Sequence, residues 1–217
     1  MNLKKYILIH YPVGDILAAL APIPAMLIGL YVMNSGWTAL LLYHLFIILT
    51  LLLFWKKFEG AMLIRGWRPM LALGVCVVCA VSGFILFIAK NLIIPDVSWY
   101  ETLIKLSFYR DNFVLFIFYF SIVNPVLEEI HWRMILPRTN LFQRFPLALH
   151  FIFASYHILI LALFLPWFLI LPCVIGLMLA AWGWRWLVQK TGGLSIPILS
   201  HACADFSIAL CVYCLVS

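Results

Sequence analysis

The sequence predicts an all-α protein, a polytopic membrane helix bundle of about seven transmembrane helices with its N-terminus cytoplasmic. Three observations carry that expectation. First, 66% of the 217 residues are apolar by type, 10% are charged, and the mean hydropathy is +1.12. A soluble domain carries roughly 45–50% apolar and about 25% charged residues. A soluble globule of this length has nowhere to hide so much apolar surface, so aqueous enzymes, disordered chains and small disulfide scaffolds are excluded. Second, seven segments supply the roughly 20 apolar residues that a spanning helix needs: 13–33, 37–55, 70–92, 112–136, 147–164, 167–188 and 195–216. Third, lysine and arginine fall very unevenly between alternating connections.

The segments are read in chain order. Lys4 and Lys5 precede the first, which is followed by further spans and so reads as a membrane helix rather than a cleaved signal. The second leads into a hydrophilic stretch, 56–68, and the third into 93–111, whose apolar residues at helical spacing suit a helix lying along the membrane surface. The fourth carries NPVLEEIHWRMILP, and the fifth is short, with Pro166 and Trp167 turning it into the sixth. The sixth ends in Trp182-Gly183-Trp184-Arg185-Trp186, an aromatic belt from which Arg185 reaches toward headgroups. The seventh carries SHACAD. No soluble domain or repeat is evident, so residues 1–217 read as a single integral membrane domain with a motif-bearing core over about 112–217.

Six cysteines are present: Cys76, Cys79, Cys173, Cys203, Cys211 and Cys214. Two Cys-x-x-Cys pairs occur among them, a spacing that elsewhere means zinc or redox chemistry. Both lie in apolar runs without polar ligands, so they read as small helix-face residues.

Charge sets the orientation. With the N-terminus inside, Lys4, Lys5, Lys56, Lys57, Arg65, Arg68, Arg133, Arg138, Arg144, Arg185 and Lys190 fall on the inner side, and only Lys90, Lys105 and Arg110 on the outer. That bias follows the positive-inside rule and supports an odd number of spans. The net charge of +6 is therefore a topology signal, and nucleic-acid binding loses its motivation.

Ionisable groups inside the bilayer are costly and are functional candidates by default. Glu128, Glu129, His131 and Arg133 lie in the fourth segment, His150 and His157 in the fifth, His201 and Asp205 in the seventh. At about 1.5 Å per residue, Glu128 lies roughly 13 Å from the inner end of its helix, His157 and Asp205 roughly 15 Å, and His201 roughly 9 Å. Three helices thus bring polar groups to one level of the inner half. Glu129 and Arg133 are i,i+4 and can pair; so are His201 and Asp205. His150 and His157 are i,i+7 on one face, with Phe153 between them. His131 and His150 read as interfacial or core residues, Asp15 as interfacial, and His10 and His44 carry no signal.

Ser155 and Ser200 have no evident relay partners, and Gly-x-Ser-x-Gly, Gly-x-Gly-Asp and His-Glu-x-x-His are all absent. Glutamate beside histidine suits activation of water. A second imidazole with a polar neighbour suits stabilisation of an oxyanion.

EEIHWR fits Glu-Glu-x-x-x-Arg, FASYH fits Phe-x-x-x-His and HACAD fits His-x-x-x-Asn/Asp. In that order on membrane helices, over roughly 120–206, they resemble the CPBP family, which groups type II CAAX prenyl proteases with bacteriocin-processing and immunity-type membrane proteins. The resemblance implies a glutamic-type intramembrane endopeptidase in which Glu128 and His157 activate water. His201 and Asp205 would hold the oxyanion, while Glu129 and Arg133 shape the site. It implies a peptide or protein substrate, membrane lipids as surroundings, and a multi-pass location in a bacterial inner or cell membrane with the active site toward the cytoplasmic half. No cofactor is implied, with zinc on Glu128, His157 and His201 as the alternative. Asp205 departs from the asparagine of the prenyl proteases, and an ionised aspartate cannot donate to an oxyanion; it is either protonated or orients His201. His131, Trp132 and Met134 add bulk where relatives have an apolar-aromatic pair and a glycine. The alternative function is a catalytically inactive relative that binds a peptide or partner in immunity or as a scaffold.

Overall fold

The computed structural model describes residues 13–92 and 99–216. Lys4, Lys5 and His10 lie outside the described residues, as does 93–98 of the expected surface segment. Among the described residues there are helices and no strands, and seven helical stretches are long and apolar enough to span a bilayer. They are Val13–Val32, Gly36–Leu53, Pro69–Lys90, Asn112–Arg138, Pro146–Phe164, Trp167–Thr191 and Ser195–Leu215. The expected segments agree with these to within a few residues, because spans of this apolarity are set by the bilayer itself.

Span one is α1 (Val13–Leu20), α2 (Pro22–Met26) and a π-helical turn at Leu27–Val32. Pro22 and Pro24 lack the N–H that a continuous helix would use, so the span is jointed. Span two is α3 (Gly36–Leu53), capped by Ser35, whose hydroxyl accepts from Thr38 N at 3.1 Å. Span three is α4 (Pro69–Leu92). The described part of the surface segment opens with a short helix, α5 (Trp99–Lys105), which does more than lie on lipid. Trp99 and Leu103 are buried, and Trp99 Nε1 donates to Phe164 O at 2.8 Å, tying α5 to the end of span five.

Span four begins as α6 (Arg110–Glu129), continues as a π-helical turn at Ile130–Ile135 and ends in a tight turn at Leu136–Arg138. After α7 (Asn140–Arg144), span five divides into α8 (Pro146–Tyr156) and α9 (Ile158–Phe164), with His157 at the joint. Spans six and seven are α10 (Trp167–Thr191) and α11 (Ser195–Val216). Asp15 is near the N-terminal end of span one and is buried, accepting from Leu141 N at 3.0 Å to cap α7.

The loops at one end of the bundle close on one another. Arg138 donates to Lys57 O at 2.7 Å and to Glu59 Oε2 at 2.9 Å, while Arg65 pairs with Glu59 Oε1 at 2.7 Å. Leu194 N donates to Met62 O at 2.7 Å, so the 55–68 loop is drawn under Ile130, Met134 and Leu194. Lys57, Arg65 and Arg138, expected on one side of the membrane, thus meet at one end of the bundle.

Candidate active site

The site is built by the antiparallel pair α6 and α11. Asn124 and Glu128 are one turn apart on α6; His201 and Asp205 are one turn apart on α11. Because the helices run in opposite directions, the two spacings form rungs. His201 Nε2 lies 3.6 Å from Glu128 Oε2, and Asn124 Nδ2 donates to Asp205 Oδ2 at 3.0 Å. A diagonal contact joins them: His201 Nε2 is 3.5 Å from Asp205 Oδ1, as the i,i+4 spacing predicts. The other ring nitrogen, Nδ1, lies 2.9 Å from Glu129 Oε1. The surroundings are dry, with Glu128 3%, Glu129 0%, His201 4% and Asp205 8% exposed.

Arg133 completes the charge set. Its Nη1 lies 3.3 Å from Glu129 Oε1, the pairing expected from their spacing. Its guanidinium carbon lies 4.5 Å from the centre of the Phe153 ring and 5.0 Å from that of Trp184, so the cation rests on aromatic faces inside the bundle. Trp184 in turn stacks on His201 at 4.2 Å, and its indole N–H donates to Ser200 Oγ at 3.0 Å. Single-partner loss in such a buried set leaves an uncompensated charge, which is why so many neighbours fix it.

His157 stands at the edge. It is half-buried, at the joint between α8 and α9, and its Nδ1 lies 2.7 Å from Phe153 O. A carbonyl only accepts, so Nδ1 carries the hydrogen and a neutral ring leaves Nε2 with a free lone pair. Its ring stacks on Tyr156 at 4.1 Å, and Tyr156 O–H donates to Glu128 Oε1 at 2.7 Å. That bond fixes one carboxylate oxygen and leaves Oε2 turned toward His201, without a hydrogen bond of its own.

Glu128, Glu129, Arg133, His201 and Asp205 are thus brought together, and His157 adjoins them through Tyr156. His131 and His150 are buried, and neither is hydrogen-bonded to any of the six. Ser155 Oγ donates to Ile152 O and Ser200 Oγ to Pro197 O, so both serines spend their hydrogens on their own helices. All six cysteines are free.

Three participants escape a reading of the sequence. Tyr156 looks like one more aromatic in an apolar span. Asn124 carries a usable signal, its i,i+4 spacing from Glu128 mirroring that of His201 and Asp205. His44, without a signal in the sequence, is 3% exposed and hydrogen-bonded on both sides. Among the described residues no three His, Cys, Asp or Glu side chains form a group that could hold a metal ion. His201 instead turns both nitrogens toward carboxyl groups.

Comparison with known families finds one description over this region. Residues 110–207 match the model of "Type II CAAX prenyl endopeptidase Rce1-like", the family that the three motifs resemble, and the match covers all three motifs. The family carries a peptidase class and hence a peptide or protein substrate. Together with the seven apolar helices, it makes this an integral, multi-pass membrane protein. No curated protein matches, and no solved structure does.

Proposed function

With residues 110–207 belonging to the Rce1-like family of type II CAAX endopeptidases, we propose that this chain is a glutamic-type intramembrane endopeptidase. Glu128 and His157 activate a water molecule, and His201, held by Asp205, stabilises the oxyanion. The observation that supports the reading is the free Glu128 Oε2, 3.6 Å from His201 Nε2 in a dry setting.

Water entering beside His157 gives a proton to Glu128 Oε2 while the lone pair on His157 Nε2 orients it. Its oxygen attacks the peptide carbonyl carbon. His201 Nδ1 donates to Glu129 and Nε2 faces two more carboxyl groups, so a ring bearing both hydrogens suits this place and offers Nε2–H to the oxyanion. Collapse of the tetrahedral intermediate breaks the C–N bond, and the leaving amine takes the proton from Glu128. Asp205 Oδ2 accepts from Asn124, which favours the role of orienting His201 over that of a neutral donor. Arg133 and Glu129 keep the set in register, and no step uses a metal. The site faces the cytoplasmic half of a bacterial cell membrane, by the positive-inside rule, and the substrate is membrane-proximal or lipid-associated.

One observation favours a second reading, an inactive relative that binds a peptide or partner. Trp132 and Met134 are buried beside the site, and the catalytic candidates other than His157 are closed off. A peptide library that includes prenylated and unprenylated CAAX peptides, presented to the purified protein in detergent, separates the two. Cleavage that falls by about 10²–10⁴-fold in Glu128→Gln and His157→Ala, with thermal unfolding unchanged, is the expected result. Cleavage unchanged in both variants overturns the mechanism, and binding without cleavage that survives both establishes the second reading.

A further inference from the structure

We propose that His44 and Asn124, anchored by Tyr119, form a positioning relay that sets the orientation of Asp205 and, through it, of His201. The proposal rests on the peptidase reading for its purpose, but not for its geometry.

The relay comes from two helices. Asn124 on α6 presents its amide nitrogen to Asp205 Oδ2 at 3.0 Å, so its oxygen faces the other way, 3.1 Å from His44 Nε2 on α3. An amide oxygen only accepts, so His44 Nε2 carries a hydrogen. In a neutral ring His44 Nδ1 is then bare, and it lies 3.0 Å from the Tyr119 hydroxyl, which donates to it. Every donor in the series points the same way: Tyr119 O–H to His44, His44 N–H to Asn124, Asn124 N–H to Asp205. The end of the series is a carboxyl oxygen that must accept, and the other oxygen of that group is the one 3.5 Å from His201 Nε2.

The arrangement does something a lone asparagine cannot. An amide is nearly symmetric in shape, and a half-turn would set its oxygen against that of Asp205. With the hydrogen on His44 Nε2 the half-turn is opposed from both ends, because that N–H would then meet the amide NH₂ while the amide oxygen faced the Asp205 carboxyl. His44 and Asn124 are each 3% exposed, and the His44 ring is held at its sides by Tyr119 at 5.4 Å and Tyr43 at 5.9 Å. Tyr119 itself is half-buried, with its ring against Trp37 at 5.6 Å, so the relay is anchored at its outer end. Span two therefore reaches the candidate catalytic pair without touching it.

The test uses the whole chain in lipid nanodiscs. Nitrogen NMR of ¹⁵N-histidine-labelled protein, with His44 assigned by its loss in His44→Gln, should show the hydrogen on Nε2 and a bare Nδ1. A hydrogen on Nδ1 with Nε2 bare overturns the proposal, and this measurement reads the original chain and depends on no activity. Infrared spectra of ¹³C-aspartate-labelled protein, with the Asp205 band identified by its loss in Asp205→Asn, should show that band shifted in His44→Leu. It should return toward its original position in His44→Gln, which keeps an N–H donor. An Asp205 band identical in the original chain and His44→Leu overturns the proposal. In cleavage of a fluorogenic peptide chosen from the library, His44→Leu should lower kcat about tenfold at constant KM, with recovery in His44→Gln. If Glu128→Gln leaves cleavage intact, the peptidase mechanism fails, while the two spectroscopic results still decide the relay.

Discussion

Spans three and four are both long helices, yet they are opposites. Span three, Pro69–Lys90, is the more apolar and has 11% of its core window buried; span four, Asn112–Arg138, is the less apolar and has 44% buried. In water that order would be inverted. In a bilayer the lipid accepts any apolar side chain, so the more apolar helix is free to lie outside, and the helix with polar groups must be enclosed. Span three is held to α11 by small residues: Gly83 N donates to Ser207 Oγ at 3.3 Å, and a Cβ on Gly83 would run into Ser207 O. Span four is held by charges and rings. The two helices grip the same partner, α11, by different physics.

Four changes test that contrast, beginning with the largest effect. Arg133→Ala leaves Glu129 buried with His201 as its remaining charged neighbour, and should cost about 3–5 kcal/mol of stability, read as a lower unfolding midpoint in detergent. Tyr156→Phe removes the donor to Glu128 Oε1; a hydrogen bond to a charged group contributes about 1.5–3 kcal/mol, so kcat should fall tenfold or more while the fold persists. On span three, Gly83→Val should cost about 1–3 kcal/mol through overpacking. Cleavage per folded molecule should be unchanged, and a large fall in kcat would mean that the seam is part of the site. The smallest effect is at Glu59. Its hydrogen bond with Arg138, with Arg65 adding its charge, holds this carboxyl below the ordinary carboxylate range. Its stabilisation is present above that range and is lost as pH falls through the depressed value, so the difference in midpoint between the original chain and Glu59→Gln should be constant near neutral pH and vanish in acid.

What the sequence disclosed follows the same division. Spans, their order and the paired spacings Glu129–Arg133 and His201–Asp205 are local properties, written in runs and in i,i+4 intervals. The π-helical turn at Ile130–Ile135 is not local: no residue there demands a wider turn, and the enclosure of His131, Trp132, Arg133 and Met134 by neighbouring helices accompanies it. His44, Asn124 and Tyr156 were hidden for another reason. Each is a single polar atom group on an otherwise apolar span, and its meaning depends on a partner 28 to 81 residues away. The break at His157 was equally silent, since Ser-Tyr-His-Ile contains neither proline nor glycine.

The bond from Leu194 N to Met62 O and that from Ser195 Oγ to Arg65 O, both 2.7 Å, join residues about 130 positions apart. A chain made from its N-terminus and threaded into the bilayer span by span acquires the 55–68 loop early. Arg138 reaches that loop once span four is made, but Leu194 and Ser195 arrive only when the seventh span begins. Throughout synthesis of spans three to six the loop has no anchor on Leu194 or Ser195. Sealing of this end of the bundle is therefore among the last acts of biogenesis, and a nascent chain stalled before Leu194 should leave Met62 and Arg65 more open to added protease than they are in the finished chain.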